Sequence, residues 1–486
     1  MFSVLCFLYD YLMPKLPDPT LSPVSPGQSK VIAETPVVAS GKKAAVSDVK
    51  SSPFHYIGPF LVALFIAAVG FAVMKYLVLP RFKKPEAITI AYWGLWEPAS
   101  VMAPVIAKFE EENPGIKVDY QMQLKTDYRE RLQSAVARGE GPDIMRLHAT
   151  WLPMFREELS PASADQFSTN EFSQAFYPAA AEDLVKNGSV MAVPLGIDGL
   201  GLFVNNQMLA ATDSGVPKNW DEFRKTAFAL TKRDSRGQIV QSGAAMGTTG
   251  NVAHWSDILA VLLLQNSVDP ARPDATVDAK GRNLGADALR FYTIFSTQDR
   301  VWDETLPPDT VAFANGKVAM IIAPSWEAFG IMEKNKQLDF SIHPIPQLIK
   351  ERKVTWASYW VDGVSAKSKH PKEAWKFLKY LSGAEALQMM YSEETKLRPF
   401  GEPYPRRDMA KSLETAKYVN TFVSQAVDAK SWYMSTATGD NGINDEIIAY
   451  WADAVNSVNQ QKTTPEVAII TAAKGVQQVL SKYGVK

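Results

Sequence analysis

The sequence predicts an α/β body of more than one domain, preceded by one transmembrane helix. Three observations predict it. The chain has 486 residues, more than one hydrophobic core usually serves. An unbroken uncharged run, IGPFLVALFIAAVGFAVM, lies at 57–74. Strand-like and helix-like segments then alternate within sixty residues of position 88, the pattern of a largely parallel sheet with crossover helices.

Residues 1–55 open with an apolar stretch, MFSVLCFLYDYLM, too short to span a bilayer. Seven prolines then fall between positions 14 and 53 among Ser, Lys, Ala and Val without sustained periodicity, which reads as a disordered tail. The apolar run follows, and beyond Lys75 it continues to Leu79. From 57 to 79 a helix would rise about 34 Å, enough to cross a hydrocarbon core of about 30 Å. The expected span is 56–80, with 81–86 as a linker. The run is longer and further from the N-terminus than the apolar region of a cleaved signal peptide, so it reads as an uncleaved signal-anchor. Lys42, Lys43 and Lys50 precede it; Lys75, Arg81, Lys83 and Lys84 follow it. The positive-inside rule alone slightly favours a cytoplasmic C-terminal side.

In the body, ITIAY (88–92) reads as a strand. Met102, Val105, Ile106 and Phe109 mark a helix that ends at Asn113-Pro114-Gly115, and IKVDYQM (116–122) alternates as a strand. Thr126 or Asp127 is expected to cap a second helix carrying Leu132, Ala135 and Val136, which Gly139 stops before the strand at Ile144. Further on, Asn219 and Glu222 form a capping-box-like helix start. Pro371 opens a helix whose apolar face is Ala374, Phe377, Leu378 and Leu381. From 405 onward the pattern is mainly helical, with Trp451, Val455 and Val458 on one face.

Charge and composition exclude several classes. Net charge is −1, with 51 basic against 52 acidic residues. The basic excess sits before residue 87, which leaves the body at −5; a duplex nucleic-acid binder needs the opposite sign. Cys6 is the only cysteine, so there is no intramolecular disulfide and no cysteine zinc site. His55, His148, His254, His343 and His370 show no HxxxH or HxH spacing, and no GxSxG, GxxxxGK[ST] or HExxH occurs, so neither a metal nor a cofactor is implied.

The body resembles the extracellular solute-binding proteins of carbohydrate ABC importers (family 1, the cluster that includes maltose-binding protein). The features that carry the resemblance follow in order through residues 88–400: ITIAYWGLWEP, PVIAKFEEENPGIKV, YRERLQSAVARGEGPDIM, AVPLGIDGLGLFVNN, VPKNWDEFRKTAFALT, AFANGKVAMIIAPSW and SKHPKEAWKFLKYLS. The family's usual Tyr-Asn-Lys-Asp appears here as Val204-Asn205-Asn206-Gln207, a departure that bears on ligand identity.

The resemblance implies a two-lobed periplasmic-binding-protein (type II) fold with a hinge. Lobe 1 would comprise about 87–197 and 345–382, lobe 2 about 198–344 and 383–486. It further implies a body outside the cytoplasmic membrane, against the slight charge preference. There it would bind a carbohydrate and deliver it to ABC transporter permease subunits, without catalysis. A ligand sensor for a signalling receptor and a membrane-anchored glycosidase are the other readings.

Sugars need aromatic plates for their C–H faces and carboxylates, amides or Arg for their hydroxyls. At positions that the resemblance puts at the cleft, the expected ligand set is Trp93, Glu97, Trp151, Asp198, His254, Trp255, Trp326, Trp360, Asp362 and Arg398. The resemblance puts Trp96 and Tyr359 at the cleft as further plates, and Asn251 and Glu327 lie nearby in sequence as further edge partners. Trp93 and Trp360 adjoin apolar strands and suit either a core or a plate. Trp326, in a polar turn past a strand end, favours ligand contact. Asp143, after Gly-Pro, reads as a turn or hinge carboxylate.

Overall fold

The computed structural model describes residues 57–78, 87–212 and 215–485; the expected tail 1–55 and linker 81–86 lie outside them. The described residues divide into two units, 57–78 within the first and 87–485, apart from 213–214, within the second.

In the first unit, α1 (Ile57–Val73) is a 17-residue helix that passes directly into a π-helical turn, Met74–Val78. Phe60, Leu61, Phe65, Ile66 and Phe71 are all strongly exposed, so the helix has no polar face. The single helix expected over 56–80 is therefore divided, and its α-helical part rises only about 26 Å. No helix among the described residues is long and apolar enough to cross a membrane.

The second unit begins with the expected alternation: β1 (Ile88–Gly94), α2 (Ala99–Glu112), β2 (Ile116–Met122), α3 (Tyr128–Arg138) and β3 (Ile144–His148). Helix α2 buries Val101, Met102, Val105, Ile106 and Phe109. At the end of α3, Gly139 adopts φ 75°, a left-handed conformation that glycine enters without steric cost. Strands β1 and β2 run parallel from Ile88 beside Ile116, and β1 and β3 are also parallel.

The chain continues through β4 (Val193–Pro194), β5 (Gly201–Asn205), α4 (Trp220–Leu230), β6 (Lys232–Arg233), β7 (Ile239–Ala244), α5 (Trp255–Gln265), β8 (Val318–Ala323), α6 (Glu327–Lys334), β9 (Phe340–Pro344), β10 (Trp360–Val364), α7 (Pro371–Leu381), α8 (Ala384–Glu394), α9 (Ile443–Asn459) and α10 (Pro465–Lys482). Helix α4 starts as its capping signal predicts: Glu222 N donates to Asn219 Oδ1 at 2.9 Å, and Glu222 Oε2 accepts from Lys218 N at 2.8 Å.

Two five-stranded sheets result, ordered β2–β1–β3–β10–β4 and β9–β5–β8–β7–β6. Each is the centre of one lobe. The chain crosses between them from β4 to β5 and again from β9 to β10. At the crossings Ser358 N donates to Asp198 O at 2.9 Å. A Cβ on Gly199 would lie 2.0 Å from Trp356 O, so only glycine lets the two connecting strands come this close. A third crossing joins them, where Ile197 N donates to Pro403 O at 2.9 Å and Trp356 pairs with Lys430.

The lobe division expected at 382/383 needs correction. Only Ser382 and Gly383 separate α7 from α8, too short a link to leave the first lobe. Helix α8 packs on α2, burying Ala386, Leu387 and Met390 and pairing Glu385 with Lys108. The first lobe thus extends through Glu394.

Candidate functional site

A cavity of about 360 Å³ opens between the lobes, beyond the C-terminal ends of β1 and β3, where open α/β sheets leave a crevice. The first lobe lines it with Trp96, Glu97, Lys125, Arg146, His148 and Trp360, and the second with Trp326 and Phe329. The crossings add Gly196, Asp198, Ser358, Tyr359, Arg398 and Glu402, and the C-terminal leg adds Thr436–Thr438.

Trp360 centres an aromatic group: Trp96, His148 and Trp151 meet it edge-on at 5.4, 5.3 and 5.2 Å between centroids. Trp96 and Trp326 remain 41% and 37% exposed, which leaves indole surface open on each lobe. Lys125 Nζ sits over the Trp96 ring, 5.4 Å from its centroid.

Two ionic groups underlie these plates. Arg146 Nε donates to Asp362 Oδ1 at 2.8 Å, and its terminal nitrogens donate to Glu97 Oε1 at 3.2 Å and the Tyr92 hydroxyl at 3.1 Å. Burial pushes the Asp362 carboxyl up to about 6, against the lowering effect of Arg146. On the other side, an Arg398 terminal nitrogen bonds Glu394 Oε2 at 3.0 Å and Glu402 Oε1 at 2.8 Å. The Arg398 guanidinium also lies 5.2 Å from the Phe329 ring centroid. Burial, and then the charge of Glu402, raise the Glu394 carboxyl.

Asp198 accepts from Gly199 N at 2.7 Å, Ser325 N at 3.1 Å and Ser325 Oγ at 2.5 Å. Burial pushes it up to about 7, with Glu402 adding to the rise and the Ser325 and Gly199 bonds opposing it. His148 is driven down to about 3 by burial and the nearby Lys125 charge, so it is neutral at physiological pH.

Of the ten residues expected from sequence, Glu97, Asp198, Trp326, Trp360 and Arg398 line the cavity. The other five do not. Trp93 lies half-buried on β1 against the core. Trp151 is 1% exposed and stacks on Phe155 behind Trp360. Trp255 is buried in the first turn of α5. Asp362 is fully buried as the counter-ion of Arg146. His254 is also buried, its Nε2 3.1 Å from Glu327 Oε1 and its Nδ1 2.9 Å from Thr436 Oγ1. It supports Trp326 edge-on at 5.8 Å. Burial alone would lower His254, but Asp257 and Glu327 outweigh it and raise it to about 9.

Among the nearby residues, Asn251 is buried and bonds the Asp303 and Leu306 carbonyls. Asp143 bonds Ala91 N and Ser368 Oγ in its turn. Sequence reasoning missed Arg146, Lys125, Glu402 and Thr436–Thr438. An arginine inside the apolar strand IMRLH was the one visible signal. Among the described residues no group of His, Cys, Asp or Glu could hold a metal ion.

The family profile described as bacterial extracellular solute-binding protein matches residues 105–417. The chain belongs to that family. The Multiple sugar-binding protein of Streptococcus mutans is 26% identical over 317 residues, covering 63% of this chain and 74% of that one. The Maltotriose-binding protein of Pyrococcus abyssi is 23% identical over 282 residues, 55% of this chain but only 56% of that one. A cyclo/maltodextrin-binding protein complexed with maltotetraose superposes with TM-score 0.66 at 19% identity, over 82% of this chain and 98% of that one. The sugar-binding protein MalE from Xanthomonas citri gives 0.64 at 21%, over 81% and 98%. At these identities the superpositions establish the two-lobed fold.

Proposed function

We propose that the body captures a carbohydrate between its lobes and presents it to the permease of an ABC importer, without turning it over. The observation that carries this reading is the make-up of the cavity wall. Partly open indoles, Trp96 and Trp326, come from opposite lobes, and Glu97 and Thr438 each keep one buried side-chain oxygen that has no partner among the described residues. Indole faces suit sugar C–H surfaces, and unpartnered oxygens suit hydroxyl donors. The names of the relatives support the same ligand class. We assign the contacts to Trp96, Glu97, Trp326, Trp360 and Arg398, with Asp198 stationed at the crossing. Ligand affinity for the closed arrangement would then shift the lobes toward closure.

The reading includes a tether: the apolar run 57–79 anchors the body on the outer side of the cytoplasmic membrane. The exposed apolar side chains around α1 support this, since such a surface is costly in water and favoured in lipid.

The test is thermal melting of residues 85–486 against a panel of di- and trisaccharides. At 100 times its dissociation constant a bound sugar adds about 2.7 kcal/mol, several degrees in melting temperature. No shift across the panel, or consumption of any sugar, would contradict the reading.

A further inference from the structure

Arg146 stands inside a fully buried five-residue strand, with 2% of its side chain exposed. Burying an ion pair rarely adds stability over well-packed apolar side chains, so stability is a poor reason for this arginine. Its geometry suggests another. One nitrogen holds Glu97 Oε1, a second holds the Tyr92 hydroxyl, and Nε holds Asp362 Oδ1. The Tyr92 hydroxyl itself donates to Asp362 Oδ1 at 2.9 Å. Glu97 is fixed a second time through its backbone, because the Tyr120 hydroxyl donates to the Glu97 carbonyl at 2.5 Å. Gly94 makes room for that ring, since a Cβ there would lie 2.5 Å from it.

The outcome is a glutamate held on the cavity wall through Oε1 and through its backbone carbonyl, with Oε2 buried and, among the described residues, without a partner. An unpaired buried acceptor is costly, and native structures keep one where a ligand or water supplies the donor.

We propose that Arg146 is a positioning residue: it fixes Glu97 so that Oε2 accepts one hydroxyl of the bound sugar, and so sets which hydroxyl geometry the cavity prefers. The inference rests on the carbohydrate reading above. Arg146 and Asp362 then act through Glu97, with Tyr120 as the backbone half of the clamp.

The experiment is a double-mutant cycle on the full chain in detergent, with maltotriose and mannotriose as calorimetric probes and melting measured on the same samples. Glu97→Gln and Arg146→Met should each weaken the tighter sugar about ten- to hundredfold, the range for a hydrogen bond to a charged group. The double variant should lose no more than either single one, and the preference between the two sugars should narrow. A purely structural role would lower melting without moving that preference. Arg146→Met strands Asp362 in the interior, so Tyr120→Phe with and without Glu97→Gln runs the same cycle without exposing a buried charge. Tyr120→Phe should weaken binding only where Glu97 is present.

Additive losses, or a Glu97→Gln variant that binds like the wild type, would overturn the inference and leave the carbohydrate reading standing. A wild-type chain that binds neither probe nor any sugar of the panel would overturn both.

Discussion

Trp326 and Trp151 both follow strand ends, yet they face different surroundings. Trp326 keeps over a third of its surface open at the cavity, whereas Trp151 is sealed among Tyr128, Phe155 and Trp360. Trp326→Ala should therefore weaken sugar binding about five- to 150-fold, from about 1–3 kcal/mol of lost contact, with little change in melting. Trp151→Ala should cost about 3–5 kcal/mol of stability through the void it leaves. Calorimetry and melting on the same two variants check both; the reverse pattern would misplace the cavity. His254 gives a pH signature. Its folded value of about 9 lies above the ordinary 6.5, so its contribution is complete below 6.5 and lost as pH rises through 9. That loss is on the order of 3 kcal/mol. His254→Gln should flatten the fall in melting temperature between pH 6.5 and 9; an unchanged profile would mean that the histidine gains no proton on folding.

At the scale of elements, local signals explain what was legible. The order β1–α2–β2–α3–β3 could be read because Met102, Val105, Ile106 and Phe109 repeat at helical spacing and Gly139 ends α3. Contacts distant in sequence could not be read. Arg146 meets Glu97 and Asp362 across 49 and 216 residues, and no periodicity links Thr436–Thr438 to the cavity. Asp362 shares its strand face with Trp360 but lies one pair deeper, opposite Arg146 where Trp360 lies opposite His148, and its carboxylate is taken up by Arg146. Helix α1 is the element on which location depends. In intact spheroplasts, added protease should digest the body and leave a small membrane-held fragment containing α1. A body protected until the membrane is broken would reverse the orientation and remove the import reading.

At the scale of the molecule, two sheets joined by three close-packed crossings leave one set of aromatic and charged side chains between them. Gly199 against Trp356 and Ser358 against Asp198 keep the crossings in register, so relative motion of the lobes is expected to concentrate there. Under the proposed function, the lobes close on a carbohydrate that is released unchanged. The measurement that tests it most directly is small-angle scattering of residues 85–486 during titration with the tightest sugar of the panel, with the sugar recovered and analysed afterward. Closure on an unaltered ligand predicts a saturable fall in radius of gyration that tracks the calorimetric isotherm, with intact sugar recovered in full. Saturation without compaction, or recovery of a cleaved sugar, would contradict it.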